Sequence, residues 1–130
     1  MPIVRVLVAE DFLPFREFIR STLAKSPELE IVAEVSDGLE GVQKAEELKP
    51  DLILLDIGLP TLNGIEAARR IRKLSPDSKI IFLSQESAAD VIETALGLGA
   101  LGYILKTRAA HDLMPAVEAV IADKQFVSCA

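Results

Sequence analysis

Residues 51–72 read DLILLDIGLPTLNGIEAARRIR. Leu52 to Leu55 are apolar without alternation and run directly into Asp56. Such a run is expected of a parallel strand covered on both faces by helices, because neither face meets water. Asn63 and Glu66 then stand at capping-box spacing, which predicts a helix that Pro76 stops. A buried strand that ends on a carboxylate and feeds a capped helix is one unit of a doubly wound α/β sheet.

The same unit repeats on either side. Five runs rich in branched aliphatics, Val4 to Ala9, Glu30 to Val35, Leu52 to Leu55, Lys79 to Leu83 and Gly102 to Leu105, alternate with longer segments of helical period. Asp37 with Glu40, and Ser87 with Asp90, predict two further capped helix starts, while Pro27, Pro50 and Gly99 supply stops. In the first helix Phe15, Phe18, Ile19, Thr22 and Leu23 recur at three- and four-residue spacing, which reads as core packing. Pro115 falls inside the last helical run, where it removes a backbone donor, so that helix is expected to start late, near Asp112.

Composition bounds the function. The 130 residues are 50% hydrophobic and 26% charged, enough for one compact domain. With 14 Lys and Arg against 20 Asp and Glu, the net charge of -6 opposes direct nucleic-acid binding by this segment. The single cysteine, Cys129, has no partner for an internal disulfide, which fits a cytoplasmic setting. The first apolar run, Ile3 to Ala9, contains Arg5 and is too short to span a bilayer or to serve as a signal-peptide core, so no membrane role is expected.

The chemistry is expected at strand ends. Asp11, Asp56, Ser84 and Lys106 each have an ordinary reading alone, as a cap, a strand end, a turn and a solvated lysine. Together they follow the first, third, fourth and fifth strands, and open parallel sheets bind ligands outside the carboxyl ends of their strands. If the first and third strands are neighbours, in flavodoxin-like order 2-1-3-4-5, Glu10, Asp11 and Asp56 converge and repel one another unless a cation joins them. Oxygen-only ligands without His or Cys favour magnesium, with manganese as a substitute. Asp56 can then accept a phosphoryl group, Lys106 and the metal can neutralise its charge, and the Ser84 hydroxyl can donate a hydrogen bond to it.

On these residues the chain resembles the receiver domain of two-component response regulators, over residues 3 to about 127. Glu10 and Asp11 match the family's acidic pair, Asp56 its phospho-acceptor, Ser84 its hydroxyl and Lys106 its lysine. Tyr103, in GALGYILK, matches the aromatic switch position, which the family turns inward when the hydroxyl moves to the phosphoryl group. The resemblance implies a CheY-like fold, a Gly58 backbone carbonyl as third magnesium ligand, and a tuning role for Gly58 and Glu86. It implies a sensor histidine kinase or phosphotransfer protein as donor, docked near Phe12, Leu13 and Pro14. It also implies a moving face formed by the fourth helix, fifth strand and fifth helix, with homodimerisation on phosphorylation as one outcome.

The chain departs from the family pattern where Glu10 replaces the commoner Asp. Thr107 likewise replaces the proline that often follows the lysine, which removes the usual basis for a cis peptide there. The GYILK segment and the closing KQFVS are most similar to NarL/FixJ-type regulators, whose receivers usually precede a helix-turn-helix domain that these residues lack. A haloacid-dehalogenase-type phosphatase would want a second Asp where Gly58 stands. A flavin carrier would want a glycine- and hydroxyl-rich cradle where the chain reads EDFLPF. A pseudo-receiver acting only through protein contacts would usually have lost part of the acidic cluster, the acceptor or the lysine, all of which are present. His111 has no companion for a metal site and reads as a surface or helix-start residue.

Overall fold

The computed structural model describes residues 2–128, so Cys129 and the expectation attached to it lie outside the described residues. A parallel sheet is formed by β1 (Val4–Ala9), β2 (Leu29–Val35), β3 (Leu52–Asp56), β4 (Lys79–Ser84), β5 (Gly102–Leu105) and β6 (Phe126–Val127), in the order β2-β1-β3-β4-β5-β6. The expected order of the first five strands is present, and β6 is an addition at the edge. Its two residues continue the sheet because Phe126 and Val127 pair in register with Gly102 and Tyr103. A two-residue run carries no periodicity by which sequence could announce it.

The helices are α1 (Leu13–Leu23), α2 (Gly38–Leu48), α3 (Gly64–Leu74), α4 (Ala89–Gly97) and α5 (Ala109–Ile121). The apolar strands divide their side chains by alternation between two cores. Leu7, Ile53, Leu55 and Phe82 face α2, α3 and α4, and pack with Val42, Ala67, Ile71 and Ala95. Val6, Val8, Leu54 and Leu83 face the other way and pack with Ile19 and Leu23 of α1 and with Leu113 and Val117 of α5. Both faces of β3 are therefore covered, as its unbroken Leu52–Leu55 run requires.

Asp37 and Asn63 cap α2 and α3 by accepting from the Glu40 and Glu66 backbone N–H at 2.8 and 3.0 Å. The Ser87 cap expected for α4 does not form. Ala88 is the N-cap with no side-chain bond, and its N–H donates instead to Glu86 Oε1 at 3.1 Å. The late start expected for the last helix is also corrected. That helix begins at Ala109, after a 3-10 turn over Lys106–Arg108, and runs through Pro115. Pro115 lies on the exposed side, while Ala109, Asp112, Leu113, Ala116, Val117 and Val120 are buried, so packing of that stripe outweighs one missing backbone donor. Among the described residues every peptide bond is trans, Lys106–Thr107 included, and no helix is long and apolar enough to cross a membrane.

Candidate functional site

Register places the polar residues side by side. Ala9 pairs with Leu55 and Asp56 with Leu83, so Glu10, Asp56, Ser84 and Lys106 emerge from adjacent strands at the same end of the sheet. The ends of β1, β3, β4 and β5 open into a cleft of about 680 Å3 whose lining includes Asp11, Asp56, Gly58, Ser84, Glu86 and Lys106. Asp56 is buried, Asp11 and Glu86 are exposed, and Glu10 is wholly buried beneath them.

Lys106 links the two buried carboxylates. Its Nζ stands 2.8 Å from Glu10 Oε1 and 3.3 Å from Asp56 Oδ2. The other oxygens are held by the backbone: the Phe12 N–H donates to Glu10 Oε2 at 3.0 Å and the Gly58 N–H to Asp56 Oδ1 at 3.1 Å. Burial pushes both carboxyl groups above their ordinary pKa values. At Glu10 the opposing effects are the Lys106 and Phe12 contacts, and at Asp56 the Gly58 N–H and the Lys106 charge. The lysine therefore offsets only part of the desolvation of two neighbouring carboxylates.

Carboxylate oxygens of Glu10, Asp11 and Asp56 lie within 4.8 Å of one another, an arrangement able to hold a metal ion. Glu10 Oε1 is fully buried with the Lys106 ammonium 2.8 Å away as its neighbour. The all-oxygen donor set suits magnesium or manganese better than zinc.

Gly58 and Tyr103 are set by local geometry. A Cβ at position 58 would stand 3.9 Å from Asp56 Oδ1, an ordinary contact, so a side chain there would fit beside the carboxylate and line the cleft. The Tyr103 ring is wholly buried, its hydroxyl donating to the Glu86 carbonyl at 2.6 Å, and burial pushes its phenol pKa up. Ser84 Oγ accepts the Glu86 N–H at 2.8 Å, so Ser84 and Tyr103 hold the backbone N–H and C=O of Glu86. Phe12, which lines the cleft, and Leu13 are exposed at 60% and 54%, with Pro14 exposed beside them. His111 is exposed in the first turn of α5, away from the cleft.

Two contributors have no signal in the sequence pattern. Arg16 donates from its guanidinium to the Glu10 carbonyl at 2.8 Å and to the Val35 carbonyl at 3.1 Å, tying together the ends of β1 and β2. Phe15, assigned to the core by its spacing, is only partly buried, and its ring centroid lies 5.0 Å from Lys106 Nζ. The helical period of Phe15 and Phe18 fits core packing and site contact equally.

Residues 6–118 match the family described as response regulator receiver domain. The transcriptional regulatory protein DegU of Brevibacillus brevis is 38% identical over 117 residues, covering 90% of this chain and 50% of that protein. The nitrate/nitrite response regulator protein NarL of Escherichia coli K12 is 33% identical over 123 residues, 95% of this chain and 57% of that protein. The chain thus spans about half the length of these curated relatives. Among solved structures, a LuxR-family two-component response regulator from Aurantimonas sp. SI85-9A1 superposes with a TM-score of 0.89 at 29% identity, covering 95% of this chain and 89% of that one. The response regulator domain of Thermotoga maritima CheB does so with a TM-score of 0.84 at 33% identity, covering 92% of this chain and 97% of that one. With the acidic cleft at its strand ends, the CheY-like sheet and a family match over most of its length, this chain belongs to the response regulator receiver domains of two-component signalling, on the NarL/LuxR side of that family.

Proposed function

We propose that Asp56 accepts a phosphoryl group from the phosphohistidine of a partner kinase or phosphotransfer protein, in a magnesium-dependent step, and that the change is passed to an output controlling transcription. The observation that carries this reading is Lys106 Nζ standing between Glu10 Oε1 and Asp56 Oδ2 at the floor of an open cleft. An Asp56 carboxylate oxygen attacks phosphorus and the P–N bond to the donor imidazole breaks, its electron pair remaining on that ring nitrogen. The reaction depends on positioning and charge neutralisation more than on proton transfer. Magnesium or manganese, held by Glu10, Asp11, Asp56 and the Gly58 carbonyl, would supply positive charge beside the transferring oxygens.

Lys106 gives a second positive charge, 3.3 Å from Asp56 Oδ2, and the Ser84 hydroxyl donates to a phosphoryl oxygen. Because Ser84 also holds the Glu86 N–H, a shift of that hydroxyl moves the residue whose carbonyl is tied to Tyr103, and the event reaches β5 and α4. Gly58 and Glu86 at the rim govern access of water and hence hydrolysis of the acyl phosphate. The chain acts only on itself and turns over no external substrate. The transcriptional output rests on what the relatives are called, and proceeds through a DNA-binding domain or through a homodimer whose face includes α4, β5 and α5. The segment described has no part in nucleic-acid binding, and its place of work is the cytoplasm.

Intact-mass measurement after incubation with acetyl phosphate tests the reading. One phosphoryl adduct is expected with magnesium, and none with chelator or in Asp56→Asn. An equal adduct in Asp56→Asn, or none in the wild type, refutes it.

A further inference from the structure

We infer that Phe15 is a positioning residue for phosphoryl transfer, holding the Lys106 ammonium over Asp56 through the face of its ring. The inference rests on the phospho-acceptor reading above and adds to it a residue outside the site positions named there. Lys106 Nζ lies 5.0 Å from the Phe15 centroid, within the range of a cation–π contact. The lysine side chain is only 14% exposed, which places the contact toward the desolvated, stronger end of that range.

Geometry makes this contact different from the other two that Lys106 makes. Glu10 and Asp56 approach as anions at 2.8 and 3.3 Å, and both take on other work when a metal and a phosphoryl group enter. The ring accepts no proton and binds no metal, so it remains a fixed attractive surface while the carboxylates change partners. Phe15 is itself held, since its ring sits 5.6 Å from that of Phe18 and packs against the core shared by α1 and α5. Lys106 begins the 3-10 turn after β5, a short segment that by itself fixes a long flexible side chain poorly. A ring anchored on α1 supplies the missing restraint from another element.

The test replaces Phe15 with a series of fluorinated phenylalanines, which withdraw charge from the ring face with little change in size, alongside Phe15→Leu and Phe15→Tyr. The measured quantity is the rate constant for Asp56 phosphorylation by acetyl phosphate at fixed magnesium. The logarithm of the rate is expected to fall step by step with each added fluorine. Phe15→Leu should be about 3- to 10-fold slower, and Phe15→Tyr should stay close to wild type. A core role predicts no slope of the rate along the series, because the Phe15–Phe18 ring contact, which also senses the quadrupole, bears on stability and not on the Lys106 charge. A flat series in a protein that is phosphorylated at Asp56 overturns this inference and leaves the phospho-acceptor reading standing. Failure of the wild type itself to take up phosphoryl overturns both. If Phe15→Leu does not fold, the fluorinated series still decides.

Discussion

Asp56 stands in a place that disfavours a charge. Burial raises its pKa more than the Gly58 N–H and Lys106 lower it, so the folded protein prefers the neutral acid relative to the unfolded chain. A raised folded-state value stabilises below the ordinary Asp pKa, and that stabilisation is lost as pH rises through the raised value. Metal-free Asp56→Asn is therefore expected to be more stable than wild type at neutral pH. The advantage should shrink as pH falls through the raised value and vanish below the ordinary one, as urea denaturation at several pH values will read. A uniform destabilisation at all pH values would count against the electrostatic account. At this scale Glu10, Asp11, Asp56, Ser84 and Lys106 were legible because they end apolar runs, a position that strand pairing converts into proximity. Arg16 and Phe15 were not, since each reaches the site only through the packing of α1 against the strand ends, which no local pattern encodes.

Elements hold the site through a few close contacts. Gly64, at the start of α3, lies so near the turn after β3 that a Cβ there would sit 2.3 Å from the Asp56 carbonyl oxygen and 2.7 Å from Ile57 Cα. Gly64→Ala, which in an open helix would gain stability, is expected here to lose about 1–3 kcal/mol by denaturant titration, because backbone must move to admit the methyl. At the far edge, Ser128 Oγ donates to buried Asp112 Oδ2 at 2.7 Å and accepts the Leu105 N–H at 3.1 Å, fastening the segment after β6 to both β5 and α5. Ser128→Ala strands the buried Leu105 N–H and removes one partner of Asp112 Oδ2, which keeps Arg108 Nε at 3.4 Å, and should cost about 1–3 kcal/mol in the same measurement.

The hydrogen bond to His111 is the largest cause holding the Asp112 pKa below its ordinary value, with Ser128 and Arg108 adding to it against the effect of burial. A lowered folded-state value gives stability that is complete above the ordinary Asp range and is lost as pH falls through the lowered value. Caps at Asp37 and Asn63 were legible because their partners lie three residues on in sequence. The α4 start was not, since Glu86 supplies the acceptor that Ser87 was expected to give, and Pro115 was overridden by the buried stripe of its own helix.

For the molecule as a whole, alternating strand–helix order and unbroken apolar strands were sufficient to give the doubly wound sheet, because a parallel strand buried on both faces has few other solutions. The sixth strand was beyond them, since two residues added at an edge depend on where α5 delivers the chain. Any ligand that binds the folded form alone stabilises the entire domain. Magnesium at about a hundred-fold excess over its dissociation constant is expected to add about 2.7 kcal/mol, seen as a rise in Tm by scanning calorimetry. Glu10→Gln should reduce that rise, and an unchanged rise would remove Glu10 from the ligand set. The central claim is the site of modification. Borohydride reduction of acetyl-phosphate-treated protein, followed by peptide mass analysis, converts an aspartyl phosphate to homoserine and so records its position. The account predicts homoserine at position 56 alone and only when magnesium was present; homoserine at another carboxylate, or at none in protein shown to be folded, would contradict it.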